Sequence, residues 1–439
     1  MHTALYWLTN DLRLDDNPAL LRAAKSDRLI ISYCLDSREL HPHRYHLSQL
    51  GNGRRQFLYQ GLVDLEKALS PLNQSIHLCY GNTVDELARL IQEFDVGRLV
   101  CARQFGSDEQ SILKRLAIKF PDLAIEEIDN TTLFSTQTLP YAIEDLPNSF
   151  TPFRKIAEKE AIANPLEKPL ALPPSIRPRD NTLAWSMLKP TAPIDKPIFH
   201  GGMVHAEQHL DRYFDGKLPQ HYKEVRNALD GFDNSTKFSP WLNQGSLSAR
   251  RLMQRLRHYE NEVTANDSTY WIFFELLWRE YFQWLALKLG NDTFRFGGTR
   301  QPKRNPGCFY PERYRRWCAG NTPYPLVNAC MKQLLQTGYM SNRGRQIVAS
   351  CLINELGMDW RYGAAWFEHH LIDYNIGSNW GNWQYIAGVG ADPRGGRHFN
   401  IAKQTATYDP EGDFVRQWSP QPVQTQLDSI GIDDWPLEQ

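Results

Sequence analysis

The 439-residue sequence contains no run of eighteen apolar residues, so no segment is expected to cross a bilayer as a helix. Its opening, Met1-His2-Thr3-Ala4-Leu5-Tyr6-Trp7, has neither a basic leader nor a long apolar stretch, so no export signal is expected and a cytoplasmic location is. Seven cysteines, at 34, 79, 101, 308, 318, 330 and 351, are scattered without a C-x-x-C pair. That pattern argues for reduced thiols and against a zinc ribbon or a disulfide framework. No G-x-G-x-x-G or P-loop follows a strand-like run, and G-x-S-x-G and H-E-x-x-H are missing, which removes the common dinucleotide, NTP and hydrolase fingerprints. His41, His43 and His46 flank a proline in loop-like sequence, and adjacent His369-His370 cannot share a helix face, so no metal site is expected. Internal repeats and low-complexity tracts are also lacking.

What is present is an ordinary globular composition, 41% hydrophobic and 23% charged, in a chain long enough for two or three domains. The net charge is −1 but unevenly spread: residues 221–403 hold 23 Lys and Arg against 15 Asp and Glu, a surplus of eight. Such a surplus is either a footprint for phosphates or a solvated surface.

The first 130 residues alternate apolar runs (Leu5–Leu8, Leu29–Tyr33, Ile76–Leu78, Leu99–Cys101, Ala124–Ile128) with helical spacing at Asn17–Ala24, Gly53–Leu69, Thr83–Phe94 and Asp108–Phe120. This predicts a parallel, doubly wound α/β domain over 1–135, with Thr9-Asn10-Asp11 and Arg103–Glu109 as loops that either face a ligand or merely turn the chain. Residues 136–200 hold 11 of the 27 prolines between Pro140 and Pro197 and read as a long connector draped over the surface. An all-α domain is expected over 201–420, with helices at Gly201–Tyr213, Ser246–Tyr259, Thr269–Leu289, Tyr324–Thr337, Gly344–Glu355 and Gly363–Tyr374, followed by a short tail over 421–439.

Asp373–Trp383, DYNIGSNWGNW, interleaves Asn379 and Asn382 with Trp380 and Trp383 and carries little charge. Carboxamides can donate and accept at a heterocycle edge, and indoles offer a stacking face and an oxidisable ring. The segment suits a planar, redox-active ligand. Asn234–Trp241 presents three hydroxyls and Lys237 just before a helix, suited either to a pyrophosphate or to capping. Glu275, Trp278 and Arg279 share a helix face at i, i+3, i+4 within an aromatic run, either as a surface pair or as the wall of a sheltered pocket. Asn342 and Gln346 share a face at i, i+4, with Arg343 free for phosphates and Arg345 able to turn inward toward Asp373.

Taken together, these segments resemble the photolyase/cryptochrome family, most closely its DASH cryptochromes. Leu5-Tyr6-Trp7-Leu8-Thr9-Asn10-Asp11-Leu12-Arg13-Leu14-Asp15-Asp16-Asn17-Pro18 is similar to the family's opening strand and loop. Asn234–Trp241, Trp278-Arg279-Glu280, Thr337–Arg343 and Asn379–Tyr385 match its flavin and substrate segments in order and spacing, from Leu5 to about Trp418. The resemblance implies FAD in a helical C-terminal domain, held by Tyr222, Ser235, Thr236, Lys237, Phe238 and Ser239. It places Arg345 and Asp373 beside the flavin, Asn379 at N5 and Asn375 near N3. Asn375 is a departure, since an Asp is usual there; loss of that negative charge should ease flavin reduction.

The resemblance further implies a tryptophan series Trp383, Trp360, Trp317 that photoreduces the flavin. Glu275 and Asn342 would touch the lesion, and Trp278, Gln346 and Tyr385 would surround it. Arg226, Arg343 and Arg397 would contact DNA phosphates. Glu109 matches a contact to a 5,10-methenyltetrahydrofolate antenna. The implied activity is light-driven splitting of cyclobutane pyrimidine dimers, with Glu275 protonated as a hydrogen-bond donor. Gln346 and Tyr385 stand where duplex-acting enzymes have Met and Trp, as DASH members also do. A less apolar pocket, losing part of the ~1–3 kcal/mol of stacking per base, should favour single-stranded DNA. RNA is a further candidate partner, and a monomer is expected. The alternatives are a light-signalling photoreceptor with little repair and a non-photoactive flavin protein.

Overall fold

A computed structural model describes residues 2–423 apart from 43–44, 177–180, 196, 300–308 and 393. His43, among the histidines considered above, therefore lies outside the described residues.

Thr3–Leu8 (β1) is buried along its whole length, because it is the central strand of a parallel sheet covered on both faces. Arg28–Asp36 (β2), Ile76–Gly81 (β3), Val96–Ala102 (β4) and Ala124–Ile128 (β5) complete the sheet in the order β3-β2-β1-β4-β5, every pairing parallel. The order reverses at β1. Doubly wound sheets open a crevice at such a point, outside the carboxyl ends of the strands. Of the loops there, Asp11 is committed to structure: Tyr6 Oη donates to it, as do Thr9 N at 2.9 Å and Asn130 Nδ2 at 2.9 Å. Thr9, Asn10 and Arg103–Gly106 line open space instead.

The sheet layer is tied to the helical region by buried polar contacts. Arg13 donates to the Gly245 carbonyl at 3.0 Å, and Asp16, fully buried, pairs with Arg250 at 2.7 Å. Such charges persist in an interior only when paired and hydrogen-bonded.

The connector is not simply draped over the surface. Phe150–Ala157 is a helix that buries Phe150, Phe153 and Ala157, and Thr182–Leu188 buries Ala184 and Leu188 against the sheet-side core. Pro152 sits in a first turn, where its missing N–H costs no helical bond.

In the helical region the long apolar helix Asp267–Leu289 packs against Ile376–Ala387. A Cβ at Gly377 would run into the Phe282 backbone, so glycine permits that close approach. The predicted 344–355 helix is α-helical over Asn342–Ser350 and π-helical over Cys351–Glu355. Helices at Pro311–Ala319, Ile401–Tyr408 and Asp413–Trp418 were not apparent from periodicity.

Candidate active site

A cleft of about 420 Å³ opens among the helices. Its floor carries Asn379, Trp383, Arg345 and Asp373, its polar flank Ser235, Thr236 and Ser239, and its mouth Glu275, Trp278, Asn342, Gln346 and Tyr385. Residues more than 100 positions apart thus share one wall.

Asp373, 3% exposed at its side chain, accepts from Arg345 Nη2 at 2.8 and 3.0 Å and from Ser239 Oγ at 2.7 Å. Arg345 Nε also donates to the Met340 carbonyl at 2.9 Å. The pair holds a fixed positive edge in the cleft. Asn379 donates through Nδ2 to the Ala364 carbonyl at 3.0 Å, which turns its side-chain oxygen into an available acceptor. Asn375 caps Ile376–Ala387, its Oδ1 accepting from Ser378 N at 3.0 Å, so one lone pair and the amide donors remain.

At the mouth, Trp278 stacks on Phe150 at 3.7 Å and meets Tyr385 edge-on at 5.9 Å. Glu275 has a strong cationic partner, and it is Arg226, not its helix neighbour Arg279. Arg279 donates to Asn243, Thr131 and Leu242, whereas Arg226 forms the ion pair with Glu275 and lies 4.3 Å over the Trp271 ring. Burial pushes the Glu275 carboxyl up and Arg226 pulls it back, with burial prevailing. Burial, with Glu275 nearby, also raises the Tyr222 hydroxyl.

Several expected residues lie elsewhere. Phe238 is 1% exposed among His209, Tyr213 and Phe214, so its ring belongs to the core and not to the cleft. Lys237, at φ +55°, points its ammonium over Tyr339 at 4.7 Å, behind the cleft wall. Arg343 donates to Asn227 and lies over Tyr408, and Arg397 bonds Tyr385 and Asp392; both sit beside the cleft. Trp317 is fully buried and meets Trp383 at a centroid distance of 6.2 Å, while Trp360, also buried, meets Trp380 at 5.8 Å. Trp271, Phe274 and Phe367 also line the cleft; their only signal was the aromatic richness of their helices.

A second cavity of about 210 Å³ occupies the switch point of the sheet and reaches the helical region. Glu39, Glu109 and Glu368 line it, with Arg54, which lies 4.4 Å over Tyr374. Burial raises all three carboxyls, those of Glu39 and Glu368 to about 7, and Glu109 Oε2 has no hydrogen-bond partner. Asn375 lines both cavities.

Residues 4–174 match the DNA photolyase family, and residues 271–436 match the FAD binding domain of DNA photolyase. The cryptochrome DASH of Vibrio parahaemolyticus is 47% identical over 439 residues, covering 99% of this chain and 97% of the relative. The chain belongs to the photolyase/cryptochrome family, among the DASH cryptochromes. The solved Synechocystis cryptochrome superposes with a TM-score of 0.89 at 38% identity, covering 96% of this chain and 89% of that one. A class III photolyase from Agrobacterium tumefaciens gives 0.80 at 28% identity, covering 96% and 87%. The DASH chain thus carries an FAD-binding domain, and among the described residues no helix is long and apolar enough to cross a membrane.

The cleft fits that cofactor. Its lining joins aromatic faces, an available Asn379 acceptor and a hydroxyl flank, and its Asp373 carboxylate is already neutralised by Arg345.

Proposed function

We propose that this DASH cryptochrome is a light-driven deoxyribodipyrimidine photolyase that splits cyclobutane pyrimidine dimers, preferably in single-stranded DNA. The observation that carries the reading is the continuity of one cleft, from Asn379 and Trp383 at its floor to Glu275, Asn342 and Tyr385 at its mouth. Bound FAD supplies light absorption and one-electron transfer. Ser235, Thr236 and Ser239 would hold its diphosphate, with Tyr222 beside them. Arg345 and Asp373 would fix the ring, and Asn379 would offer its side-chain oxygen at N5. Trp383, Trp360 and Trp317 would refill electrons.

At the mouth, Trp278 and Tyr385 would flank the extruded dimer, and the Asn342 amide would donate to a pyrimidine carbonyl. Glu275 would hold its proton for the same purpose once Arg226 turns to a phosphate. Arg343 and Arg397 would track the strand. Gln346 and Tyr385 make the mouth less apolar than two large hydrophobes would, which supports the single-strand preference. The second cavity, with buried carboxyls beside Arg54 and an unpartnered Glu109 oxygen, suits a flat ligand rich in N–H donors, as the pterin of 5,10-methenyltetrahydrofolate is.

The test is illumination of the reduced, FAD-loaded protein with dimer-containing oligonucleotides. Dimers in single strands should disappear many times faster than in matched duplex. Equal rates would sink the strand preference, and no repair of either would favour a signalling photoreceptor.

A further inference from the structure

Two cysteines face each other across the sheet. Cys34 of β2 and Cys79 of β3 are register partners, and both side chains join the core layer shared with the helix Thr83–Glu93. Partners on neighbouring strands lie about 4.7–4.9 Å apart, within the roughly 4.4–6.8 Å between Cα atoms that a disulfide spans.

Their surroundings differ. Cys79 is 3% exposed, and Ser32 Oγ lies 3.6 Å from its sulfur. Cys34 lines the second cavity, whose rim includes Arg38, a side chain half exposed to solvent. The Cys34 thiol donates to Cys79. That hydrogen bond, with His77 and Ser32 adding to it, draws the Cys79 thiol down to about 5 against its burial, while Cys34 is held well above its usual range. The pair therefore carries one thiolate and one proton near neutral pH, and the thiolate is the reactive form of cysteine.

We propose that Cys34 and Cys79 are a redox-active dithiol, closed to a disulfide by a hydroperoxide entering the second cavity and reopened by a small thiol. The atoms and electrons balance. Passing the shared proton to Cys79 leaves Cys34 as a thiolate on the cavity wall. It attacks one peroxide oxygen; the O–O bond breaks, hydroxide leaves and Cys34 becomes a sulfenic acid. That hydroxide takes the Cys79 proton to give water. The Cys79 sulfur then attacks the Cys34 sulfur, the S–S bond forms, and the S–O bond breaks with loss of a second hydroxide. Two electrons pass from the sulfurs to the peroxide. Cys101, Cys318, Cys330 and Cys351 have thiols that burial pushes up, so they stay protonated and slow to react.

The experiment treats the full-length, reduced protein with stoichiometric hydrogen peroxide, denatures it in N-ethylmaleimide and maps its peptides by mass spectrometry, with and without dithiothreitol. A linked Cys34–Cys79 peptide should form, disappear on reduction, and accumulate roughly tenfold faster than oxidation at the other four buried cysteines. Cys79→Ala should stop the link and leave Cys34 as a sulfenic acid that dimedone captures, and Cys34→Ser should leave Cys79 open to alkylation. Far-ultraviolet circular dichroism matching the untreated protein shows that the variants fold. Both wild-type thiols remaining alkylated after peroxide would overturn the proposal. So would their oxidation to separate sulfinic acids without a link, or oxidation no faster than at the other four.

Discussion

Asp373→Asn tests the energetic centre of the cleft. The native carboxylate is 3% exposed and accepts two contacts from Arg345 and one from Ser239. The amide keeps the shape but leaves the Arg345 charge uncompensated in a largely desolvated wall. Removing one partner of a buried ion pair costs about 3–5 kcal/mol; an amide that still accepts from Ser239 should fall near the low end. At about 2–4 °C per kcal/mol for a domain of this size, the melting temperature should drop by about 6–12 °C. Thermal unfolding of the flavin-free protein reads this without the cofactor's own contribution. The double substitution Arg345→Met with Asp373→Leu should recover most of that loss, since apolar replacement of a whole buried pair is close to neutral. It should not recover flavin retention, because the charged edge is gone. A drop under about 2 °C for Asp373→Asn would refute the claim that this pair is desolvated and matched.

Two further predictions follow from the carboxyls. Glu275→Gln should leave repair of bound lesions near wild type and tighten single-strand binding, because the amide still donates while a negative charge at the mouth is lost; a repair rate below about a tenth of normal would show that the charge itself is needed. Glu39 and Glu368, raised to about 7 from the ordinary 4.5, bind more protons folded than unfolded between those values. Their contribution to stability should therefore be largest at low pH and be lost as pH rises from about 4.5 through about 7, by at most about 3 kcal/mol per group and less after solvent screening. Glu368→Gln should flatten that fall in pH-dependent melting curves; an unchanged slope would remove these groups as its cause.

Much of the scaffold was legible in the residues. Four of the five strands appeared as short, largely buried apolar runs, because a parallel sheet covered on both faces selects continuous hydrophobicity, whereas the edge strand Ala124–Ile128 carries two glutamates and is only partly buried. The connector was misread because its prolines masked the Phe150, Phe153, Ala157 spacing that seats it in the core beside Trp278. Phe238 was assigned to the cleft by its place in a motif, yet neighbours on a turn point opposite ways, and its ring was claimed by His209, Tyr213 and Phe214. Glu39, Arg54 and Glu368 could not be grouped at all, since no local pattern links side chains so far apart in the chain.

What the sequence determined by itself is therefore local and chemical: strand and helix periodicity, and a low-charge segment of amides and indoles fit for a planar redox ligand. Family membership followed from several such segments in register. The tertiary structure alone decided pairing and direction. It matched Glu275 with Arg226 and not with its helix neighbour Arg279, committed Asn375 to a helix cap shared by two cavities, and set Trp383 against Trp317, 66 positions away in the chain. The reason is that packing acts through space. Which rings touch, and which charges are desolvated together, depends on how helices cross, and no spacing along one chain segment encodes that.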